Sequence, residues 1–379
     1  MRKEAGKLKV LMVAARYFPY IGGTETHIYE VGRRLVREGI NVTLLTTAPY
    51  AFSTPFPREE STEGMSVIRV RAWLSSSNYY VAPEIYAIVQ QGHWDLVHCQ
   101  GSHTFVSPLA MLAAKKANLP YVVTFHTGGH SSFLRVVLRA TQWRVQRPLL
   151  ASAARLIAVS RFEAEYFRTL LGLPTRLFSI IPNGVDLPSL PDQLPATAVR
   201  PLIVSVGRLE RYKGHHRLIE ALPEIHRRCP NARLLILGKG PYEANLYRLA
   251  RRLGVTDDVE IRSVPAGDRH AMANELSQAA VVALLSNYEA HPIAVMEALA
   301  LQRPVLVAAT SGLREIAEQG LARAVLLNST PAEIAEAVSQ QLEHPLIPPA
   351  HLTLPTWDEC IQQLQAVYAM VLREDACVF

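Results

Sequence analysis

The feature that most constrains this chain is a regular alternation of short apolar runs with longer amphipathic segments. The run at 8–15 is almost entirely apolar, and in the segment 24–39 that follows it Ile28, Val31 and Leu35 fall on one helical face. Runs of consecutive apolar residues are typical of strands buried on both faces, as in a parallel sheet covered by helices. The alternation therefore predicts a doubly wound α/β fold, in which ligands bind beyond the carboxyl ends of the strands.

The alternation restarts after the proline-rich segment 187–201, which we interpret as an interdomain linker. We expect two Rossmann-like domains facing a central cleft, at 1–187 and 188–355, and a C-terminal helix at 356–379 that packs back on the first domain. Further strand-like runs lie at 42–47, 95–100, 121–126, 156–160, 202–209, 233–238, 259–263, 280–286, 304–309 and 324–328, and further helical segments at 104–118, 133–150 and 214–228, from about 242, and from 292.

Charge is distributed unequally between the two halves. Residues 1–190 contain 21 Lys+Arg and 12 Asp+Glu (21 − 12 = +9), whereas the remainder contains 18 and 21 (18 − 21 = −3), which together give the net +6. A basic half beside a mildly acidic half suggests different partners. The four cysteines are scattered, no apolar run approaches 18 residues, and the N-terminus lacks a signal-peptide pattern, so we expect a cytoplasmic protein.

Polar and glycine residues stand at the predicted strand ends. Gly22 and Gly23 precede a helix whose expected N-cap is Thr24, an arrangement that suits an anion but also an ordinary glycine turn. His126 ends a buried run and faces the expected cleft, although a lone histidine is often a satisfied structural residue.

Arg208 and Lys213 follow the first strand of the second half. They could neutralise a diphosphate, or they could be two solvated cations of a loop.

The stretch SNYEAHPIAVMEALA, at 286–300, places two glutamates on either side of a helix start. Pro292 suits the first helical position, so Glu289 falls in the loop and Glu297 five residues into the helix, about 7–8 Å along its axis at ~1.5 Å per residue. That span resembles the distance from a terminal phosphate to the ribose of a nucleoside diphosphate. The amides from His291 to Ala294 would face the phosphate, and Glu297 would accept hydrogen bonds from the ribose.

Taken with GGTETH, TFHTGG, IPNGVD, VGRLERYKG and LGKGP, the spacing Glu289-x7-Glu297 makes the whole chain resemble the retaining glycosyltransferases of the GT-B fold, family 4. The resemblance implies transfer of a hexose-type sugar from a nucleotide-diphosphate-sugar, UDP- or GDP-linked, to form an α-glycosidic bond. It makes the first domain the acceptor side and the second the donor side, and it implies no cofactor and no obligatory metal. The acceptor is left open between a glycan, a lipid-linked compound and a small molecule, and no nucleic acid is expected.

The resemblance also assigns residues. It gives Arg208 and Lys213 to the diphosphate, Glu297 to the ribose, Glu289 to the sugar hydroxyls, the glycine loop to phosphate, and His126 to a place beside the transferred sugar. Three positions depart from the family, because Ala290, Ser263 and Gln302 stand where glycine is common. The expected catalytic residues are His126, Glu289, Arg208 and Lys213, and the expected donor contacts are Gly22, Gly23, Arg208, Lys213, Val264, Glu289, Ala290, His291, Pro292, Ile293 and Glu297.

Other functions remain open at this point. A nucleotide-sugar epimerase or phosphorylase on the same fold would keep the same nucleotide contacts. A dinucleotide-dependent oxidoreductase would need G-x-G-x-x-G after the first strand, and this motif is missing. A nucleic-acid-binding protein would need a motif of basic residues interleaved with aromatics, and the basic residues show no such motif.

The segment 131–150 carries Arg135, Arg139 and Arg147 among apolar residues. It suits either a basic helix on an anionic membrane surface, with the enzyme peripheral to the membrane, or a core-packing helix with a solvated face.

Overall fold

The computed structural model describes residues 7–20, 22–48, 56–74, 79–126, 133–185, 200–265, 268–349 and 352–376. The chain divides into an N-terminal unit (Met1–Thr127, Leu134–Asn183 and Trp357–Phe379) and a C-terminal unit (Gly128–Phe133 and Gly184–Thr356). In the described part of the chain, no helix combines the length and the apolar character that crossing a bilayer requires.

Strands and helices follow one another through both units. In chain order they are β1 (Lys9–Ala14), α1 (Gly23–Arg37), β2 (Asn41–Thr47), β3 (Glu59–Thr62), β4 (Met65–Val70), α2 (Glu84–Gln91), β5 (Leu96–Gln100), α3 (Val106–Lys116), β6 (Tyr121–Thr124), α4 (Phe133–Leu150), β7 (Arg155–Ala158), α5 (Arg161–Leu171), β8 (Phe178–Ile180), β9 (Leu202–Val206), α6 (His215–Arg228), β10 (Arg233–Leu237), α7 (Glu243–Arg252), β11 (Val259–Arg262), α8 (Arg269–Ser277), β12 (Val281–Leu284), α9 (Ile293–Ala300), β13 (Val305–Ala308), α10 (Ser311–Glu318), β14 (Arg323–Val325), α11 (Pro331–Glu343) and α12 (Trp357–Ala376).

The N-terminal unit contains a sheet in the order β3-β4-β2-β1-β5-β6-β7-β8. All neighbouring strands are parallel except β3 and β4, which form an antiparallel edge. The strand order reverses direction at β1, so β1 and β5 flank the topological switch point where α/β sheets bind ligands. The core of the N-terminal unit includes Phe125, which stacks on Phe167 with the ring centroids 3.7 Å apart.

The C-terminal unit contains a fully parallel sheet in the order β11-β10-β9-β12-β13-β14. Here the order reverses between β9 and β12. The strand residues of β12 and β13 are all buried, as expected for strands covered by helices on both faces. The predicted fold class, two Rossmann-like α/β domains, is therefore confirmed.

Helix α12, at the end of the chain, belongs to the N-terminal unit. Arg34 of α1 donates from Nε to Asp358 at 2.9 Å, and the hydroxyl of Tyr368 lies 2.6 Å from Nδ1 of His98. Trp357, the first residue of α12, is buried beside Asp358. An ion pair, a hydrogen bond and apolar burial therefore hold this helix in the N-terminal unit.

The structure differs from the sequence reasoning at two places in the N-terminal unit. The sequence pattern missed the β3–β4 hairpin, because β3 is a polar edge strand of sequence EEST with no apolar alternation. Thr24 is not the N-cap of α1: the helix begins at Gly23, and Gly22 is the capping residue.

Helix α4 occupies the segment predicted to be helical at 133–150. The side chains of Arg135 and Arg139 lie outside the described residues, so the basic face expected there stays a prediction. In the described half Trp143 is 1% exposed, and Arg147 donates from Nε to the Leu171 carbonyl at 2.7 Å. One face of this half of the helix packs into the core of its unit, and the other face is exposed.

Candidate active site

Three of the predicted site residues meet at the switch point of the C-terminal sheet. Arg208 follows β9, Lys213 ends a short 3-10 helix at 211–213, and Glu289 lies in the loop after β12. Lys213 donates from Nζ to Oε1 of Glu289 at 2.6 Å. Arg208 donates to the hydroxyl of Tyr212 at 2.9 Å and pairs with Glu210 at 3.1 Å. The sequence predicted each residue but not the ion pair between Lys213 and Glu289.

The Lys213–Glu289 pair is mostly buried, with side chains 15% and 11% exposed. Burial by itself lowers the pKa of Lys213, but attraction to Glu289 and the hydrogen bond to it outweigh burial, and the pKa is raised above its ordinary value. The lysine is therefore cationic at neutral pH. Removal of one partner would leave the other as an uncompensated buried charge, which is strongly destabilising.

The backbone that carries Arg208 and Lys213 is fixed by glycine and histidine. Gly214 has φ +76°, and a Cβ there would overlap the carbonyl of Leu285. His215 is buried, and burial lowers its pKa to about 4, so the ring is neutral. Its Nε2 donates to the Arg208 carbonyl at 3.3 Å, because a carbonyl can only accept, and its Nδ1 accepts from the Ser205 hydroxyl at 2.9 Å.

Glu297 lies in α9 and is 2% exposed. Its carboxylate accepts a hydrogen bond from Arg269, the first residue of α8, which the sequence reasoning missed. Pro292, expected at the first helical position, is the N-cap of α9. The first amides of a helix have no acceptor within the helix, so this end favours an anion.

Most of the other predicted donor contacts in the C-terminal unit are buried as well, and His291 is half-buried. Ala290, Ile293 and Val264 are less than a tenth exposed. Burial lowers the pKa of His291 to about 4, so this ring too is neutral.

In the N-terminal unit, His126 follows β6 and is 8% exposed. Its φ is +47°, a conformation uncommon outside glycine, although histidine, asparagine and aspartate adopt it more often than other residues. The His126 Nε2 donates to Oε1 of Gln100 at 2.7 Å. The rings of His126 and His27 meet edge to face, with their centroids 4.3 Å apart. Burial, followed by the neighbouring histidines, places the pKa of His126 well below its ordinary value. The imidazole is therefore neutral, with a proton on the nitrogen that faces Gln100.

The glycine loop before α1 is next to a carboxylate of its own chain. A Cβ on Gly22 would overlap the side chain of the buried Glu25, which pairs with Arg16 at 3.3 Å. Gly22 thus leaves room for an acidic side chain at the start of the helix, where negative charge is favoured. The phosphate contact expected of Gly22 and Gly23 stays a prediction.

Two positioning residues escaped the sequence reasoning. Gln100 ends β5 and Arg269 starts α8, and both positions could have been flagged because polar residues at strand ends and helix starts are candidates in this fold. Their partners are remote in sequence, by 26 residues for Gln100 with His126 and 28 for Arg269 with Glu297, so the contacts themselves required the fold.

Comparison with known proteins identifies the family and the fold. Residues 21–188 match the family described as Glycosyltransferase Family 4, and residues 189–352 match Glycosyl transferases group 1. The chain is 26% identical to the D-inositol 3-phosphate glycosyltransferase of Nocardiopsis dassonvillei, covering 92% of this chain and 89% of that protein. It is 27% identical to the GDP-mannose:cellobiosyl-diphosphopolyprenol alpha-mannosyltransferase of Xanthomonas campestris, covering 77% and 76%. Anabaena Alr3699/HepE in complex with UDP-glucose has a similar fold, with a TM-score of 0.70 at 20% identity over 98% of this chain and 99% of that one.

The two parallel-sheet domains and these matches define the class of protein: a glycosyltransferase with the GT-B fold. The chain belongs to glycosyltransferase family 4, and it is a transferase enzyme. The oxidoreductase and nucleic-acid-binding alternatives are thereby set aside.

Proposed function

We propose that the enzyme transfers a hexose from a nucleoside-diphosphate sugar to an acceptor with retention of the anomeric configuration. The observation that carries the proposal is the group formed by Arg208, Lys213 and Glu289 at the switch point, with Glu297 in the helix that follows. Two cations suit a diphosphate, and a buried carboxylate suits ribose hydroxyls. The HepE protein, whose structure holds UDP-glucose, supports the same class of donor.

In this proposal the two glutamates contact opposite ends of the donor. Glu297 accepts hydrogen bonds from the ribose, and the diphosphate lies at the N-terminus of α9, near Arg208 and Lys213. Glu289, anchored by Lys213, meets hydroxyl groups of the sugar. His126 beside the transferred sugar remains a prediction from the resemblance.

Cations at the leaving group also account for the chemistry without a metal. As the glycosidic bond breaks, negative charge grows on the diphosphate, and donors fixed in advance stabilise it best. We therefore propose that Arg208 and Lys213 supply the stabilisation that a divalent cation provides elsewhere.

The donor is tested with UDP-glucose, UDP-N-acetylglucosamine and GDP-mannose. Each is incubated with the enzyme and a mixture of candidate acceptors, and release of nucleoside diphosphate is followed. Nuclear magnetic resonance of the product then gives the anomeric configuration. Release driven by inorganic phosphate would point to a phosphorylase instead, and isomerised nucleotide-sugar without release to an epimerase.

The metal is tested with the donor that this panel selects. Activity should survive EDTA, whereas Arg208→Ala and Lys213→Ala should each lower kcat by about a hundredfold, the typical effect of one lost oxyanion donor. Arg211→Ala is the matched control, because Arg211 is an exposed cation on the same short helix. Loss of activity in EDTA that a divalent metal restores would contradict the proposed mechanism.

We also propose, separately, that the acceptor is lipid-linked and the enzyme peripheral to the membrane. The net +9 of residues 1–190 is the argument, and the Xanthomonas relative is named for a polyprenol-linked acceptor. Sedimentation with liposomes should rise with anionic lipid, fall with salt, and weaken in the Arg135→Glu/Arg139→Glu variant. An enzyme that ignores anionic liposomes at low salt would favour a soluble acceptor.

A further inference from the structure

The loop that carries Glu289 is fastened to the start of α10 by consecutive residues. Thr310 donates from Oγ1 to the Asn287 carbonyl at 3.1 Å. The Glu289 amide donates to Oγ of Ser311 at 2.8 Å, and the Gly312 amide donates to the Glu289 carbonyl at 2.9 Å. Both backbone polar groups of Glu289 are therefore bonded to this helix start.

The contact requires an uncommon backbone at the helix start. Ser311 has φ +48°, in the left-handed region that residues with a Cβ rarely adopt. A Cβ on Gly312 would overlap the carbonyl of Ala290. A strained residue persists only where its surroundings hold it in place, and such residues cluster at functional sites. Here the strained residue, Ser311, is also the one whose hydroxyl oxygen accepts the hydrogen bond from the Glu289 amide.

We propose that Ser311 is a positioning residue for Glu289. The carboxylate end of Glu289 is held by Lys213 and its backbone by Ser311 and Gly312, so the side chain is fixed at both ends. Contacts that act in a transition state lose their effect when they are displaced by as little as about 1 Å. This inference rests on the proposed function, in which Glu289 contacts the donor sugar.

The first test compares two substitutions at one position. Ser311→Ala removes the acceptor and keeps the strain, whereas Ser311→Gly removes the acceptor and relieves the strain. Both should lower kcat by about tenfold, the upper range for one lost hydrogen bond, with UDP affinity changed less than about twofold. Ser311→Gly should unfold at a higher temperature than Ser311→Ala and yet remain equally slow.

Thr330→Ala is the matched control for a purely structural effect. Thr330 caps α11 in a capping box with Glu333, so its loss lowers stability without touching the Glu289 loop. It should keep the wild-type kcat. If Thr330→Ala slows the enzyme as much as Ser311→Ala does, general destabilisation explains both and the proposal is wrong.

Hydrogen exchange gives a readout that does not depend on turnover. In Ser311→Ala the Glu289 amide should exchange at least about tenfold faster, because its acceptor is gone. The Asn287 amide, which donates to the Tyr212 carbonyl at 2.7 Å, should stay protected as an internal reference. Fragmentation within the peptide 286–291 separates the two amides. An unchanged exchange rate at the Glu289 amide would overturn the proposal. This result can be obtained without any active nucleotide-sugar substrate.

A double mutant separates failure of this inference from failure of the proposed function. If Ser311 acts through Glu289, adding Ser311→Ala to Glu289→Gln should lower kcat no further. If Glu289→Gln keeps the full kcat, the proposed role of Glu289 in the reaction is wrong. The hydrogen-exchange result then still tests whether Ser311 holds the Glu289 backbone. A slow Glu289→Gln beside a fully active Ser311→Ala would sink the inference alone.

Discussion

At the residue scale, the two glutamates of the 286–300 stretch differ in what holds them. Glu289 is a loop residue paired with Lys213, and Glu297 is a helix residue paired with Arg269. Each cation comes from another element, so each carboxylate is held in place by a partner before a ligand arrives. Such preorganisation is what makes electrostatic contacts effective in a transition state.

The glutamates should therefore fail in different ways. In the proposed function the contacts of Glu289 strengthen in the transition state, so Glu289→Gln should lower kcat by about a hundredfold and leave nucleoside-diphosphate affinity nearly unchanged. The proposed ribose contact of Glu297 is made in ground and transition state alike, so Glu297→Gln should weaken nucleoside-diphosphate binding by about tenfold. Calorimetry with the nucleoside diphosphate of the donor that the panel selects, together with steady-state kinetics, measures both quantities. Glu318→Gln, an exposed position on α10, is the control, and identical profiles for the first two variants would contradict separate roles.

The sequence could predict these residues but not their partners. Arg208 and Lys213 stand out because they follow a strand, and Glu289 and Glu297 because they lie on either side of a predicted helix start. The pairing of Lys213 with Glu289 joins residues 76 positions apart, and only the strand order β9–β12 brings them together.

At the element scale, the connection from β9 to α6 shows how a turn shapes the site. Gly214 sits between Lys213 and the helix, and the conformation at φ +76° brings its Cα against the Leu285 carbonyl. Two conditions coincide there, a left-handed backbone and no space for a side chain. The alternation of apolar and amphipathic segments predicted the elements on both sides, but neither condition is visible in that pattern. The polar edge strand β3 was missed for the same reason, since its sequence lacks the apolar signal.

Gly214→Ala should accordingly be worse than a substitution that adds strain alone. Gly254 has φ +71°, and a Cβ added there would meet no other atom within 4 Å. Gly254→Ala should therefore cost only about 1–2 kcal/mol of stability. Gly214→Ala should cost about 1–3 kcal/mol more through overlap with Leu285, and it should lower kcat because Lys213 shifts. Denaturant unfolding and kinetics of the two variants give the comparison, and equal stability of the two would show that the turn relaxes freely.

At the scale of the whole molecule, four neutral histidines, three of them buried and one half-buried, make both units sensitive to pH. Burial lowers the pKa of His98 to about 3 and that of His215 and His291 to about 4, and it places that of His126 well below the ordinary value. The first and last of these belong to the N-terminal unit, and the other two to the C-terminal unit. Each ring therefore enters the folded protein without its proton.

This arrangement predicts acid sensitivity with a definite sign. The unfolded chain binds protons on these histidines near pH 6.5, whereas the folded chain binds them only near pH 4 or below, so the unfolded state holds more protons in between. Stability is complete above about pH 6.5 and falls as the pH is lowered toward 4. Each such histidine adds a slope of about 1.4 kcal/mol per pH unit across that window.

The slope can be assigned to single residues by thermal unfolding between about pH 7.5 and 4.5. In His215→Gln the unfolding temperature should fall less steeply with acid, because the unfolded state then binds one proton fewer relative to the folded state. The variant should also be less stable at neutral pH, because it loses the hydrogen bonds to the Ser205 hydroxyl and the Arg208 carbonyl. His93→Gln, a substitution at an exposed histidine, is the control for the loss of an imidazole ring alone. A wild-type unfolding temperature that stays constant across this range would mean that these rings accept protons without unfolding. The neutral state inferred for His126 would then have to be abandoned as well, because it rests on the same effect of burial.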